Sequence, residues 1–153
     1  MHLRRATADD ALTLARLYDL VWSRETGTLG EKLAAERRAD ELTVGKWLER
    51  DTYFIVEVEG CIRAAIGCEA KHGTLHLVHL VTHPQHRRRG FARALMEKAE
   101  LYAKKIGVNK LWFDTAPGLD AAQNLYQSLG YTRCGRLRRH YWGTDVVLYE
   151  KLL

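Results

Sequence analysis

Two groups of residues in this chain combine type and spacing in ways that could do chemistry. The first is Arg87-Arg88-Arg89-Gly90, which follows the apolar run Leu80-Val81-Thr82 and Pro84 and precedes a helical pattern. Three adjacent like charges repel one another, so the placement needs a compensating partner. An anion would supply it; a solvated surface turn is the competing reading. The first turn of a helix carries N–H groups without internal partners, and its dipole favours negative charge. Gly90 lets a ligand come close to the backbone. Such a loop can wrap a phosphate or pyrophosphate. It is neither a G-x-x-x-x-G-K-[ST] loop nor a G-x-G-x-x-G fingerprint, because both are absent.

The second group is the histidines at 72, 76, 79, 83 and 86. On a helix they would form one stripe, and imidazoles a turn apart can share a zinc ion. Gly73, Pro84 and the β-branched residues of "TLHLVHLVT" favour a strand instead, where the stripe is lost. No metal site is therefore expected. On a strand His76 and His79 point to opposite faces. A bulge between them would return both to one face.

The elements that must position these groups follow from the local patterns. A strand is expected at residues 2 to 5. Thr7 then caps a helix, with Asp10 as its capping-box partner and Leu14, Leu17, Tyr18 and Val21 on one face. Residues 23 to 50 are polar and charged, and predict a loop with one or two short helices. Residues 52–60, 61–70 and 74–82 read as three strands of an antiparallel meander, with turns at Glu59-Gly60 and Lys71-His72-Gly73. Phe91, Leu95, Ala99, Tyr102 and Ile106 then mark a helix stopped by Gly107. "KLWFDTA" is a strand, and Leu119 to Leu129 a short helix closed by Gly130. Two strands joined near Trp142-Gly143 end the chain. The order is that of a mixed sheet with helices on its faces.

At 153 residues the chain is read as one domain, 1–153, large enough for a core without staples. The net charge of +5 suits an anionic ligand or nucleic acid and decides between neither. Cys61, Cys68 and Cys134 are odd in number and lie in no metal-type spacing, so reduced thiols and a cytoplasmic location are expected. No apolar run approaches the roughly 18 residues of a membrane span, and the N-terminus has no signal-peptide core. No membrane partner is expected.

Several segments together resemble the GNAT superfamily of acetyl-CoA-dependent N-acetyltransferases. "RRRGFA", 87 to 92, looks like the R/Q-x-x-G-x-G/A loop, with Arg87, Gly90 and Ala92 in the defining places. "LYQSLGY", 125 to 131, is similar to the L-Y-x-x-x-G-F segment, with Tyr126 and Gly130 matching. "RRATADDALTLARLY" resembles the usual first strand and helix, and "YWGTDVVLYEKLL" the usual last strand. Leu119 departs from the pattern, since the family often has asparagine there; no binding role is carried onto it.

The resemblance implies an α/β domain. Its twisted, mostly antiparallel sheet would have six to seven strands flanked by about four helices, splayed in the middle for CoA. It implies acetyl-CoA as co-substrate, with its pyrophosphate on the N–H groups of residues 87 to 92: Arg87, Arg88, Arg89, Gly90, Phe91 and Ala92. Leu80, Val81 and Thr82 would pair with the pantetheine arm as another strand would. The partner implied is a primary amine: a small molecule, a lysine side chain or a protein N-terminus. A homodimer is admissible.

An amine of lysine type, with a pKa of about 10.4, is almost wholly protonated at pH 7, so a base must take its proton. His76 is the first candidate and His79 the second; each also reads as an ordinary half-buried histidine. Tyr126 is the resemblance's candidate for the acid that helps the thiolate leave. From its neighbours Leu125 and Leu129 alone it reads as core. Two other classes compete with the enzyme. One is a nucleic-acid-binding module built on Arg87 to Arg89 with Arg136, Arg138, Arg139, Tyr141 and Trp142. The other is a relative that binds acyl-CoA without catalysis. The first leaves the ordered strand–loop–helix unexplained, so nucleic acid is the weaker expectation.

Overall fold

The computed structural model describes residues 1–153. Strand β1 (His2–Arg5) leads through a 3-10 turn at Ala8–Asp10 into helix α1 (Ala11–Trp22). The expected cap is present: the Asp10 carboxylate accepts the Thr7 N–H at 2.7 Å. Arg4 clamps Asp10 at 2.8 Å and Glu57 at 2.7 Å. Its guanidinium holds the Asp10 carboxyl below the ordinary carboxylate range.

The polar segment holds more helix than its composition suggests. Helices α2 (Thr26–Leu29), α3 (Glu31–Arg37) and α4 (Glu41–Arg50) occupy it, three where one or two short ones are expected. Gly30, at φ 81°, separates α2 from α3. The Asp40 side chain accepts the Thr43 N–H at 2.8 Å and starts α4. The charged outer faces hide a short apolar stripe: Leu29, Leu33, Ala34 and Val44 are all buried. The total is therefore six helices rather than about four.

Strands β2 (Thr52–Val58), β3 (Cys61–Lys71) and β4 (Thr74–Thr82) form the antiparallel meander. Helix α5 (Phe91–Ile106) crosses over to β5 (Lys110–Thr115), which runs parallel to β4. Helix α6 (Asp120–Ser128) and the hairpin β6 (Thr132–Tyr141) and β7 (Thr144–Leu152) complete the chain. The seven-stranded sheet has the order β1-β2-β3-β4-β5-β7-β6, so β7 inserts between β5 and β6. One core packs α5 and α6 on one face; the other packs α1 to α4 on the opposite face. No helix is long and apolar enough to cross a membrane.

The sheet opens in its middle. β4 and β5 pair only at Leu75↔Leu111 and His76↔Trp112. Further along β4 a bulge intervenes: Gly67 faces Val78 and Ala65 faces Val81, so His79 and Leu80 share Ile66 as partner. His79 takes φ 53° there. A bulge of this kind bends its strand and increases its twist, which carries β4 away from β5.

Gly67, beside the bulge and facing Val78, makes room for it. A Cβ at that position would lie 2.6 Å from the Tyr53 ring and 2.8 Å from Val78. The missing side chain lets the Tyr53 ring cross β3 and reach His79. Gly67→Ala is expected to cost about 1–3 kcal/mol of overpacking, a fall in Tm of roughly 2–12 °C, and to displace His79. An unchanged thermal melt would show that β3 yields without disturbing Tyr53.

Candidate functional site

Where β4 and β5 part, a cleft of about 1380 Å3 runs through the sheet. One wall is β4 from His76 to Thr82; the other is Phe113 to Ala116 with α6. The β4 edge facing β5 has no strand partner from Leu77 onward. Its backbone groups are therefore open to a ligand that can hydrogen-bond as a strand does.

At one end of this edge lies the arginine loop. Arg88 has φ 62° and Gly90 φ 82°, immediately before α5 begins at Phe91. Left-handed residues leading into a helical one turn successive N–H groups toward one point, which makes an anion-binding concavity. The sixteen-residue helix adds its dipole at the same place. Nothing lies within 4 Å of where a Gly90 Cβ would stand, so the approach is open. Arg87, Arg88, Gly90 and Ala92 line the cleft, and Arg93 joins them.

Two expected members of the loop do not line it with their side chains. Arg89 turns toward His86, its Nη1 3.4 Å from Nδ1. Phe91 is buried in the core beneath α5, as its apolar ring requires, and offers a ligand only its backbone N–H. Arg87 points across the cleft, 3.7 Å from Glu25 at the end of the α1–α2 segment.

The strand disperses the five histidines. His72 sits in the β3–β4 turn, and the His83 and His86 rings meet edge to face with centroids 5.3 Å apart. His76 stacks flat on Trp112 at 3.9 Å, and its Nδ1 lies 3.4 Å from Glu69 Oε2. Trp112 is itself held by its Nε1–H, which donates to Thr74 Oγ1 at 3.2 Å. The bulge returns His79 to the face of His76, and both line the cleft. No group of three histidine, cysteine or carboxylate side chains lies close enough to hold a metal ion.

His79 is enclosed by aromatic rings. Its imidazole stacks on Trp47 at 3.9 Å, and its Nδ1 is 2.7 Å from the Tyr53 hydroxyl. Tyr18 Oη donates to the His79 carbonyl at 3.0 Å. Burial raises the Tyr53 phenol far above its ordinary range, so Tyr53 keeps its proton, and the imidazole tautomer sets the direction of its bond to Nδ1. Burial, then the charges of Arg37 and Arg50, push the imidazole down to about 3. His79 is therefore neutral at every pH near neutrality.

Tyr126 lies on α6 against Phe113, with ring centroids 4.3 Å apart, and also lines the cleft. It is thus a buried core residue that also reaches the cleft wall. Burial pushes its phenol up to about 12, so it keeps its proton. Leu119 caps α6 and packs in the second core.

The structure adds a cluster that sequence spacing hides. Asp114, Arg37 and Tyr141 come from β5, α3 and the end of β6. Tyr141 Oη donates to Asp114 Oδ2 at 2.7 Å, and Arg37 Nη2 lies 3.8 Å from Oδ1. Burial and then this bond to Asp114 raise the Tyr141 phenol to about 12. With Trp22, Leu29 and Leu33 they line the cleft. Only the alternation of β5, which points Asp114 away from the Leu111 and Phe113 face, hinted at its position.

Comparison with known proteins agrees with this geometry. The chain is 35% identical over 75 residues to human N-acetyltransferase 8B, covering 49% of this chain and 33% of that protein. It is 35% identical over 69 residues to the [ribosomal protein bS18]-alanine N-acetyltransferase of Escherichia coli K12, covering 45% and 47%. The matched segments thus span from a third to about half of these relatives. The fold superposes on ribosomal-protein-alanine N-acetyltransferase from Brucella melitensis with a TM-score of 0.85, at 21% identity over 100% of both chains. It superposes on PaiA N-acetyltransferase from Thermoplasma acidophilum, solved with coenzyme A, with a TM-score of 0.83, at 14% identity over 100% of both. The model of the acetyltransferase (GNAT) family matches residues 14–131, from α1 through the parted strands to the end of α6, and the chain belongs to that family.

Proposed function

We propose that this chain transfers an acetyl group from acetyl-CoA to a primary amine, with both substrates held in the cleft together. The observation that carries this reading is the parting of β4 from β5 after His76↔Trp112, with an arginine-rich concavity at one end of the open edge. Relatives named as N-acetyltransferases, and a neighbour solved with coenzyme A, support it.

The residues present fit the co-substrate. The N–H groups of residues 87 to 92, with Arg87 and Arg88, suit a pyrophosphate. Arg89 adds charge from the solvent side, and Phe91 anchors the helix whose N–H groups are used. The open edge at Leu80, Val81 and Thr82 suits an arm bearing amides. Acetyl-CoA supplies an activated acyl thioester. An N–H on the same edge is placed to stabilise negative charge growing on the acyl oxygen.

His76 takes the proton of the amine through Nε2, since its Nδ1 faces Glu69. His79 holds a water or the amine itself, because an imidazole held near pKa 3 is a poor base at pH 7. Asp114, which lines the cleft, draws the ammonium in. Tyr126 gives a hydrogen bond to the departing sulfur. The acceptor is a small-molecule amine, a lysine side chain or a protein N-terminus; the relatives named for ribosomal-protein alanine exemplify the last.

Calorimetric titration with acetyl-CoA, then with single-stranded DNA, tests the reading. Release of free thiol is then followed as amines of each class are added. Binding to DNA alone sinks it. Binding to acetyl-CoA without thiol release for any amine makes the chain a non-catalytic acyl-CoA binder.

Arg87→Glu is expected to raise the KM for acetyl-CoA and leave kcat less changed, because pyrophosphate binding is uniform between ground and transition state. One charge-assisted bond of about 1.5–3 kcal/mol corresponds to roughly ten- to a hundredfold. An unchanged KM would leave Arg87 as a partner of Glu25 only.

A further inference from the structure

The β6–β7 hairpin carries a cationic surface that the cleft chemistry does not use. Its turn, Tyr141-Trp142-Gly143-Thr144, places Trp142 at φ 49° and Gly143 at φ 78°. Trp142 is 58% exposed, with Lys32 Nζ 4.8 Å from its ring centroid. Just before the turn β6 bulges. Leu137 pairs with Val146 and Tyr141 with Thr144, so Arg138 to His140 loop outward. Arg139 takes φ 50°, and its N–H donates to Asp145 Oδ1 at 2.8 Å.

The hairpin's own carboxylates are already engaged. Asp145 holds Arg136 at 2.6 Å as well as the Arg139 N–H, and Glu150 holds Lys110 at 2.6 Å. Arg138 and Arg139 are exposed and pair with no carboxylate. The patch sits at the cleft rim. Tyr141 lines the cleft, and Thr144 Oγ1 donates to the Leu29 carbonyl at 3.1 Å, tying the hairpin to α2.

Charges on an edge strand also discourage edge-to-edge pairing. Trp142-Gly143 takes the same two-residue left-handed turn as Glu59-Gly60 and His72-Gly73, but an edge role does not require Arg139 in left-handed backbone. Nor does it explain an exposed indole among cations. Strained residues of this kind persist where their neighbours hold them, and they gather at binding sites.

We infer that the acceptor is a polypeptide with acidic residues near its reactive amine, docked at the cleft rim by Lys32, Arg138, Arg139 and Trp142. This rests on the acetyl-transfer reading above. Nucleic acid would suit the charges and the indole, but it presents no alkylamine to the cleft. An acidic peptide supplies both the amine and the complementary charge, and its backbone can follow the free edge of β6.

The test uses the full chain and three dye-labelled probes: an acidic peptide with a free N-terminal alanine, its lysine-for-acid counterpart, and a single-stranded oligoribonucleotide. Anisotropy gives each Kd, and thiol release from acetyl-CoA gives each kcat/KM. The acidic peptide is expected to bind roughly three- to thirtyfold more tightly than the basic one, the worth of two rim ion pairs. The gap should shrink between about 50 and about 300 mM salt. Arg138→Glu/Arg139→Glu should abolish or invert the preference; Arg138→Gln/Arg139→Gln, which only removes charge, should abolish it if the reversal unfolds the chain. Equal affinity for both peptides overturns the inference, as does tight binding of the oligoribonucleotide alone. Charge-selective peptide binding without thiol release would leave the docking surface standing and remove the transfer reading. Acetylation of peptides regardless of charge would do the reverse.

Discussion

Replacing His76 by glutamine is expected to lower kcat/KM by roughly a hundred- to ten-thousandfold near neutral pH, the contribution of one positioned proton acceptor. Glutamine keeps a polar, planar group against Trp112 and can still face Glu69, so the fold should survive. The pH profile separates the two histidines. His79 stays neutral at every pH where the enzyme would be assayed, since burial and the charges of Arg37 and Arg50 hold it near 3. An acidic limb of kcat/KM above about pH 5 therefore cannot come from it. That limb should vanish in His76→Gln and persist in His79→Gln, which instead disturbs the Tyr53 bond and the bulge. Retention of the limb and of activity in His76→Gln would pass the proton to Asp114 or to water. Stoichiometric zinc in protein purified without a histidine tag would revive a metal role for these residues.

Tyr126→Phe should lower kcat by roughly ten- to a thousandfold, the range for one lost acid or one lost charge-stabilising bond. The ring stays in place against Phe113 and Tyr149, so the melting temperature and the acetyl-CoA affinity should change little. A phenol raised to about 12 by burial does not readily surrender its proton to a thiolate whose conjugate acid has a pKa of about 8.5. Its contribution is expected as a hydrogen bond to sulfur while charge develops. Pre-steady-state measurement, where chemistry limits turnover, decides the matter. Full kcat there makes Tyr126 a packing residue, and the sulfur takes its proton from water.

The chain's local signals determine the order of its elements. Alternating β-branched runs and the Glu59-Gly60, His72-Gly73 and Trp142-Gly143 turns are short-range features, and each strand lies where its pattern places it. The loop of Arg87 to Gly90 was equally legible, because a charged turn between a strand and a helix is a contiguous signal. The helices of residues 26–50 were less so. Their buried stripe of Leu29, Leu33, Ala34 and Val44 is thin, and the charges around it set the composition. Tertiary structure alone decided three matters. Whether His76 and His79 share a face depends on a bulge, which depends in turn on Gly67 beside it on β3 and on the Tyr53 ring it admits. The insertion of β7 between β5 and β6 is a choice of partner that no single strand's pattern encodes. The Arg37–Asp114–Tyr141 cluster joins three segments far apart in sequence, and only the closing of α3 and the hairpin over the cleft brings them together. Periodicity reports which side of an element is apolar; it carries no record of which distant side chain will face it once the sheet has twisted and opened.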